Sequence, residues 1–297
     1  MDVDRMRRVE IKSGDTVGVV LEPEERSGSF AVVLGGSMGG IPEPLATRLA
    51  ASGITTFALG YFGAPGLPSA LVEIPLEVPQ RGIELFTDRW ARGRSVGLIG
   101  ASKGAELALL LASQLPDVIG PTIALAPSNV AWYGIDMREF GGPTPPSSVT
   151  HSSWTWRGSP WPFLPLAEGR MPIFTEQGLR TDVCYDLNLY DDTQINTARI
   201  PIERARGPIL LLSGDDDHQW PSAAMAGELA RRMDSYGRSE DLTNVVYPGA
   251  GHVFAMHDWM PPSTMFDFGG DAEADASASA DAWRRIPDFL ARGSASS

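Results

Sequence analysis

The stretch that decides the fold is residues 97–112, GLIGASKGAELALLLA. The apolar run at 96–99 predicts a short buried strand, and residues 106–112 place Leu and Ala at helical spacing without a breaker. Ser102 therefore falls at a strand-to-helix turn. Gly100 and Gly104 flank it, and glycine lets a backbone reverse within a few residues. The G-x-S-x-G pattern in this setting predicts a serine nucleophile.

Strands and helices alternate outward from this turn. A hairpin is expected over residues 7–21, and the later predicted strands are 30–34, 55–59, 121–126, 208–212 and 244–247. The predicted helices are 44–51, 80–91, 223–236 and 280–291. The acidic, low-complexity segment at 269–283 is expected to begin as a loop. This alternation predicts an α/β fold with a mostly parallel central sheet flanked by helices.

Residues 127–205 interrupt the alternation with many prolines and four tryptophans. We interpret them as an irregular Trp/Pro-rich cap insertion over the active site, in which Trp154, Trp156 and Trp161 bind substrate. The alternative is a surface excursion that packs its tryptophans, Trp132 included, on the core.

Length and composition limit the classes of protein. The 297 residues and 31.9 kDa fit one domain over 1–297, and no apolar window is long enough to span a bilayer. The net charge of −13 argues against a nucleic-acid partner. The start of the chain has no apolar segment typical of a secretory signal, and Cys184 is the single cysteine. We therefore expect a cytoplasmic protein with no membrane partner.

A serine hydroxyl needs an imidazole to take its proton and a carboxylate to orient that imidazole. Asp217 follows the predicted strand at 208–212, and His252 lies in YPGAGH after the strand at 244–247. The order Ser102, Asp217, His252 is that of an α/β-hydrolase fold.

Each assignment has competitors. Asp215 and Asp216 are adjacent to Asp217, and Asp216 is the stronger alternative for orienting the histidine. The other histidines are weaker candidates: His151 lies in the presumed cap, His218 borders the acidic run, and His257 has no preceding strand with a glycine-rich exit. No second histidine sits at ligand spacing from the acidic run, so we expect no metal and no cofactor.

A tetrahedral intermediate needs two N–H donors for its oxyanion. One is expected from the amide of Lys103, directly after the nucleophile. The other is expected from GGSMGG after the strand at 30–34, where Ser37 and Met38 are both candidates. The Lys103 side chain is expected to be solvated at the helix start, the alternative being contact with a carrier phosphate.

Four segments together resemble a known family: residues 97–113, IPIERARGPILLLSGDDDHQWPS at 200–222, YPGAGH at 247–252, and GGDAEADASASADAWRRIPDFL at 269–290. They are similar to the C-terminal catalytic domain of acyl-CoA thioesterases and bile acid-CoA:amino acid N-acyltransferases. The resemblance covers about residues 28–292. It implies that Asp217 orients the histidine, and that a serine nucleophile favours hydrolysis, because the amino-acid-conjugating members use cysteine.

Animal members of that family carry an N-terminal β-sandwich domain, and residues 1–27 are too few to form one. We expect a serine hydrolase that cleaves acyl-CoA or acyl-carrier thioesters through an acyl-enzyme, with a small-molecule substrate and an acyl carrier protein as a possible partner. The alternatives are an acyltransferase to an amine or alcohol, a carboxylesterase, and a binding module without activity.

Overall fold

The computed structural model describes residues 6–139, 146–256 and 265–294. The strands, in chain order, are β1 (Met6–Ser13), β2 (Thr16–Pro23), β3 (Phe30–Leu34), β4 (Thr55–Gly60), β5 (Ile74–Pro75), β6 (Val96–Ala101), β7 (Ile119–Leu125), β8 (Trp154–Trp156), β9 (Ser159–Pro160), β10 (Ile173–Thr175), β11 (Gly178–Arg180), β12 (Ile209–Gly214) and β13 (Leu242–Tyr247). The α-helices are α1 (Glu43–Ala50), α2 (Glu77–Phe86), α3 (Lys103–Gln114), α4 (Asp192–Ala198), α5 (Ser222–Ser235) and α6 (Ala272–Ser294).

The centre of the molecule is an eight-stranded sheet in the order β1-β2-β4-β3-β6-β7-β12-β13. β1 and β2 form an antiparallel hairpin, and β2 is also antiparallel to β4. All later neighbours in the sheet are parallel. The predicted hairpin and the mostly parallel sheet are both confirmed.

Both faces of the sheet are covered by helices. Successive side chains along a strand point to opposite faces, so alternate residues of one strand belong to different core clusters. On one face Val32 and Leu34 pack with apolar residues of α2, α3 and α5. On the other face Ala31 and Val33 pack with α1 and α6. Runs such as FAVVL in β3 are continuous and apolar for this reason.

The segment between β7 and β12 contains only short elements, as predicted, among them two small strand pairs and the seven-residue α4. It has its own apolar cluster, which includes Trp132, Tyr133 and Tyr185 and also takes in Trp220 of the following loop. We call the described parts of residues 127–205 the insertion. Residues 140–145, with part of its proline-rich run, lie outside the described residues.

The last helix differs from its prediction. α6 begins at Ala272 rather than at residue 280, so most of the acidic segment is helical and not a loop. The Asp271 carboxylate accepts hydrogen bonds from the N–H groups of Glu273 and Ala274, which caps the helix. The alanine-rich sequence that follows has high helix propensity.

Among the described residues, no helix is long and apolar enough to cross a membrane.

Close backbone packing between α3 and the end of β3 depends on Gly104. A Cβ atom at this position would lie 2.3 Å from the carbonyl oxygen of Gly35 and 2.4 Å from that of Leu34. We expect Gly104→Ala to destabilise the fold by about 4 kcal/mol or more, because backbone atoms would have to separate. Gly227→Ala is the matched control, since its Cβ would meet only Arg231 at 3.5 Å within α5.

Urea unfolding measures both changes. Gly227→Ala should leave the free energy of unfolding unchanged or raise it by up to about 1 kcal/mol, because alanine favours a helix. A Gly104→Ala protein as stable as the wild type would contradict the packing described here.

Candidate active site

Ser102 occupies a strained turn between β6 and α3. Its φ of 56° and ψ of −122° put a non-glycine residue in a conformation that L side chains rarely adopt. The turn is held on both sides, because the Ser102 N–H donates to Leu125 O at 2.9 Å and the Ser102 carbonyl accepts from the N–H groups of Ala105 and Glu106. The strain fixes the direction of the hydroxyl-bearing side chain.

Small neighbours make this turn possible. A Cβ on Gly100 would lie 2.0 Å from the Gly104 carbonyl oxygen, and one on Gly36 would lie 3.3 Å from Ser102 Cβ. The loop after β3 therefore passes directly against the turn. Glycine is required at these positions for close backbone approach, as the sequence predicted.

His252 and Asp217 are in contact. His252 Nδ1 lies 2.8 Å and 2.9 Å from the two carboxylate oxygens of Asp217, and both side chains are almost fully buried. Asp217 also accepts hydrogen bonds from the Ser222 hydroxyl at 2.6 Å and from the N–H groups of Gln219 and Trp220. This carboxylate is thus held in place by α5 and by its own loop.

The imidazole of His252 is fixed on its faces as well. The Trp220 ring meets it edge to face at 5.9 Å, and the Phe268 ring stacks on it at 6.2 Å. The backbone N–H of His252 donates to the backbone carbonyl oxygen of Phe268 at 2.8 Å. Since Nδ1 faces Asp217, Nε2 is the ring nitrogen that does not contact this carboxylate.

The neighbouring carboxylates point elsewhere. Asp215 accepts from the N–H of Gly249 at 2.6 Å. Asp216 lies 3.2 Å from His218 Nε2, and the other ring nitrogen of His218 lies 2.9 Å from Asp267. The alternative in which Asp216 orients His252 is therefore not the arrangement that the structure adopts.

The remaining histidines are also apart from this pair. His151 is exposed and lies 3.5 Å from Glu73, and His257 lies outside the described residues. Among the described residues, no group of His, Cys, Asp and Glu side chains is arranged to hold a metal ion.

Ser102 and His252 line one cavity of about 340 Å³. The residues expected to stabilise an oxyanion line it too: Lys103, Ser37 and Met38. A hydrogen bond of 3.2 Å from the Gly39 N–H to Gly36 O closes a turn around Ser37 and Met38. The candidate nucleophile, base and oxyanion donors thus line the same cavity.

The insertion supplies much of the remaining wall, as expected of a cap, and the wall is mostly apolar. Its lining residues are Tyr133, Ile135, Met137, Pro172, Leu179, Thr181 and Tyr185. Trp220, Phe266 and Phe268 complete the aromatic part. Burial raises the pKa of Tyr133 and Tyr185, so both phenols stay neutral over the physiological range.

The three tryptophans expected to bind substrate do not line this cavity, so that prediction is wrong. Trp154 is fully buried, and its indole N–H donates to Glu106 at 2.6 Å. Trp156 and Trp161 pack against the core cluster beside α2 and α3. The alternative from the sequence, in which the tryptophans pack on the core, describes them correctly.

Sequence reasoning missed the aromatic residues that do line the cavity. Trp220 could have been found, because it lies three residues after Asp217 in DDDHQW. Nothing in the local sequence of Tyr133, Tyr185 or Phe268 distinguishes them from ordinary core aromatics.

The Lys103 side chain also differs from its prediction. It is 1% exposed, and its Nζ lies 3.0 Å from a carboxylate oxygen of Glu106, which is itself fully buried. It is neither solvated nor free to meet a carrier phosphate. Burial lowers the pKa of Lys103 and raises the pKa of Glu106, and their mutual contact opposes both changes.

Solved structures place this fold among the α/β-hydrolases. The chain is similar to an esterase from Pyrococcus furiosus with a TM-score of 0.57 and 14% identity, covering 99% of this chain and 95% of the esterase. It is similar to a monoacylglycerol lipase from Paleococcus ferrophilus with a TM-score of 0.51 and 18% identity, covering 97% and 99%. These likenesses confirm the predicted fold class.

The comparison with protein families is more specific than the comparison of folds. Residues 82–295 match the family described as BAAT / Acyl-CoA thioester hydrolase C terminal, and the chain belongs to that family. The resemblance drawn from the four sequence segments is therefore confirmed.

The names of individual relatives agree with this family assignment. The chain is 28% identical to human acyl-coenzyme A thioesterase 1 over 298 residues. It is 29% identical to mouse acyl-coenzyme A thioesterase 6 over 300 residues and 27% identical to rat acyl-coenzyme A amino acid N-acyltransferase 2 over 301 residues. Each alignment covers 96% of this chain and 65% of the relative, so the chain spans under two thirds of their length.

The contact between His252 and Asp217 predicts how Ser102 reacts. Asp217→Asn should lower the rate at which a fluorophosphonate labels Ser102 by roughly 10³-fold or more, because the imidazole loses the carboxylate that orients it and stabilises its charge. Asp216→Asn is the matched control and should label at the wild-type rate. Similar rates in both variants, with intact circular dichroism, would contradict the assignment of Asp217.

Proposed function

We propose that this chain hydrolyses acyl thioesters through a covalent acyl-enzyme on Ser102. The observation that carries the proposal is the cavity lined by both a strained serine and a histidine that is in contact with a buried aspartate. Relatives named as acyl-CoA thioesterases support a thioester as the substrate.

In the first step Ser102 Oγ attacks the thioester carbonyl carbon while His252 Nε2 takes the hydroxyl proton. Asp217 keeps the proton on Nδ1 and stabilises the imidazolium. When the tetrahedral intermediate collapses, the carbon–sulfur bond breaks and His252 returns its proton to the thiolate. The products of this step are a free thiol and an ester on Ser102.

The negative oxygen of that intermediate is stabilised by two backbone N–H groups. The amide of Lys103 is one, since the first residues of a helix have N–H groups without intrahelical acceptors. For the other we propose Ser37, because it follows Gly36, whose backbone packs on Ser102, whereas Met38 is 62% exposed.

In the second step water attacks the ester on Ser102 and His252 again accepts a proton. The carbon–oxygen bond to Ser102 breaks, the serine regains its proton from His252, and a free acid leaves. No metal or cofactor takes part in this scheme.

The acyl group fits the cavity by its chemistry. The lining of the cavity is mostly apolar and aromatic, which favours a hydrocarbon-like chain over a polar group. Names of relatives favour coenzyme A as the thiol carrier, and a carrier protein is the alternative. We also propose a cytoplasmic location, which the single cysteine favours.

Acyl transfer is a second candidate, because one relative is named an acyl-coenzyme A amino acid N-acyltransferase. It uses the same acyl-enzyme and replaces water by an amine. Carboxylester hydrolysis is a third, because the oxyanion chemistry is shared and a solved structure of this fold is named an esterase. Hydrolysis is preferred over transfer because the proposed nucleophile is a serine, and thioesters are preferred over oxygen esters because relatives are named acyl-CoA thioesterases.

Thiol release from a panel of acyl-CoAs of rising chain length tests the proposal. We expect release that Ser102→Ala lowers by about 10³-fold or more, because no acyl-enzyme can form. Ser159→Ala, which changes an exposed serine of the insertion, is the matched control and should retain full activity.

Two further arms distinguish the candidates. Adding glycine, taurine or an alcohol should still give only free acid, and a conjugate in place of the acid would favour transfer. Matched oxygen esters should turn over more slowly than thioesters. Release that is unchanged in Ser102→Ala would contradict the proposed nucleophile.

A further inference from the structure

A buried ion pair lies directly beside the proposed nucleophile. Lys103 Nζ is 3.0 Å and 3.1 Å from the two carboxylate oxygens of Glu106, one helical turn later in α3. Nζ also lies 3.4 Å from the carbonyl oxygen of Trp132 in the insertion. Buried ion pairs are rarely more stabilising than apolar residues of similar volume, so stability alone does not account for this pair.

The Glu106 carboxylate connects α3 to the insertion. One of its oxygens accepts from the indole N–H of Trp154 at 2.6 Å and from the backbone N–H of Trp132 at 3.2 Å. With Lys103, it therefore has three hydrogen-bond donors. A charge that is fully hydrogen-bonded in this way has little freedom to move.

The contacts continue to the loop after β3. The Trp154 ring lies 5.9 Å from Lys103 Nζ on one side and 5.8 Å from the Tyr61 ring on the other. The Tyr61 hydroxyl donates to the carbonyl oxygen of Gly35 at 2.5 Å. Gly35 begins the GGSMGG loop, which carries Ser37.

We propose that Lys103, Glu106, Trp154 and Tyr61 form a buried network that positions the two halves of the oxyanion hole relative to each other. We call these four side chains the positioning network. This inference deepens the proposed function and rests on it. None of the four side chains touches the reacting atoms in the proposed steps; they act on the amide of Lys103 at one end and on the Gly35 carbonyl at the other.

The site needs such a device because its two donors come from different elements. One N–H belongs to the first residue of α3 and the other to a loop after β3, and no covalent bond fixes their spacing. A displacement of about 1 Å can cost roughly 10²-fold in rate. Burial and the charge of Glu106 raise the pKa of Tyr61, so its hydroxyl remains a donor.

The test uses Tyr61→Phe, which removes one hydrogen-bond donor and keeps the ring, and Trp154→Phe, which removes the indole N–H and leaves a smaller aromatic ring. Glu106→Gln would leave the buried Lys103 without a counter-charge and would test folding instead. Tyr190→Phe is the control for Tyr61, since its hydroxyl also donates to a backbone carbonyl, that of Pro165, at 2.5 Å. Trp161→Phe is the control for Trp154, because the Trp161 indole N–H has no partner among the described residues.

Two readouts separate positioning from general stability. The first is kcat and KM for thiol release, for which we expect kcat to fall about tenfold with KM within twofold in both network variants. The second is the rate of Ser102 labelling by a fluorophosphonate, whose phosphoryl oxygen uses the same donors whatever acyl group the enzyme accepts. It should fall by a similar factor, while both control variants match the wild type.

Labelling and kcat within twofold of the wild type in Tyr61→Phe and Trp154→Phe would overturn the positioning network and leave the proposed function intact. A loss of equal size in the controls would overturn it as well, since it would reflect stability alone. A wild-type protein that neither releases thiol nor labels at Ser102 would overturn the proposed function itself.

Discussion

The whole arrangement depends on one strained residue. Ser102 holds a φ of 56° between β6 and α3, and this conformation persists only because the surrounding backbone leaves no alternative. Gly104 of α3 packs closely against the carbonyl of Gly35, the first residue of the loop after β3. The same packing that keeps the serine strained therefore brings a second backbone loop to the cavity wall, where an oxyanion would form.

Much of this could be predicted from sequence, because the information is local. Apolar runs of strand length and helical spacing of Leu and Ala identify the sheet and most of its helices. The carboxyl ends of parallel strands lie at one edge of a sheet, so residues after β6, β12 and β13 meet there. Ser102, Asp217 and His252 follow these three strands; Ser102 and His252 line one cavity, and Asp217 contacts His252 behind it.

What the sequence could not give depends on contacts between distant residues. The indole of Trp154 meets Glu106, 48 positions earlier, and no local pattern distinguishes this from a tryptophan that faces a substrate. Lys103 looks like a solvated helix-start residue until Trp132 and Trp154 of the insertion are seen to cover it. The start of α6 is a different case, because the information was local. The many acidic residues suggest a loop, whereas the high helix propensity of alanine and the cap at Asp271 start the helix at Ala272.

The central claim is that an acyl group becomes covalently attached to Ser102 during turnover. Rapid quenching in acid after mixing with an acyl-CoA, followed by intact-mass and peptide mass spectrometry, tests it most directly. We expect a mass increase equal to the acyl group, located on the peptide that contains Ser102, and its absence in Ser102→Ala. Thiol release by an enzyme that never carries the acyl group, or that carries it on another residue, would rule out an acyl-enzyme on Ser102.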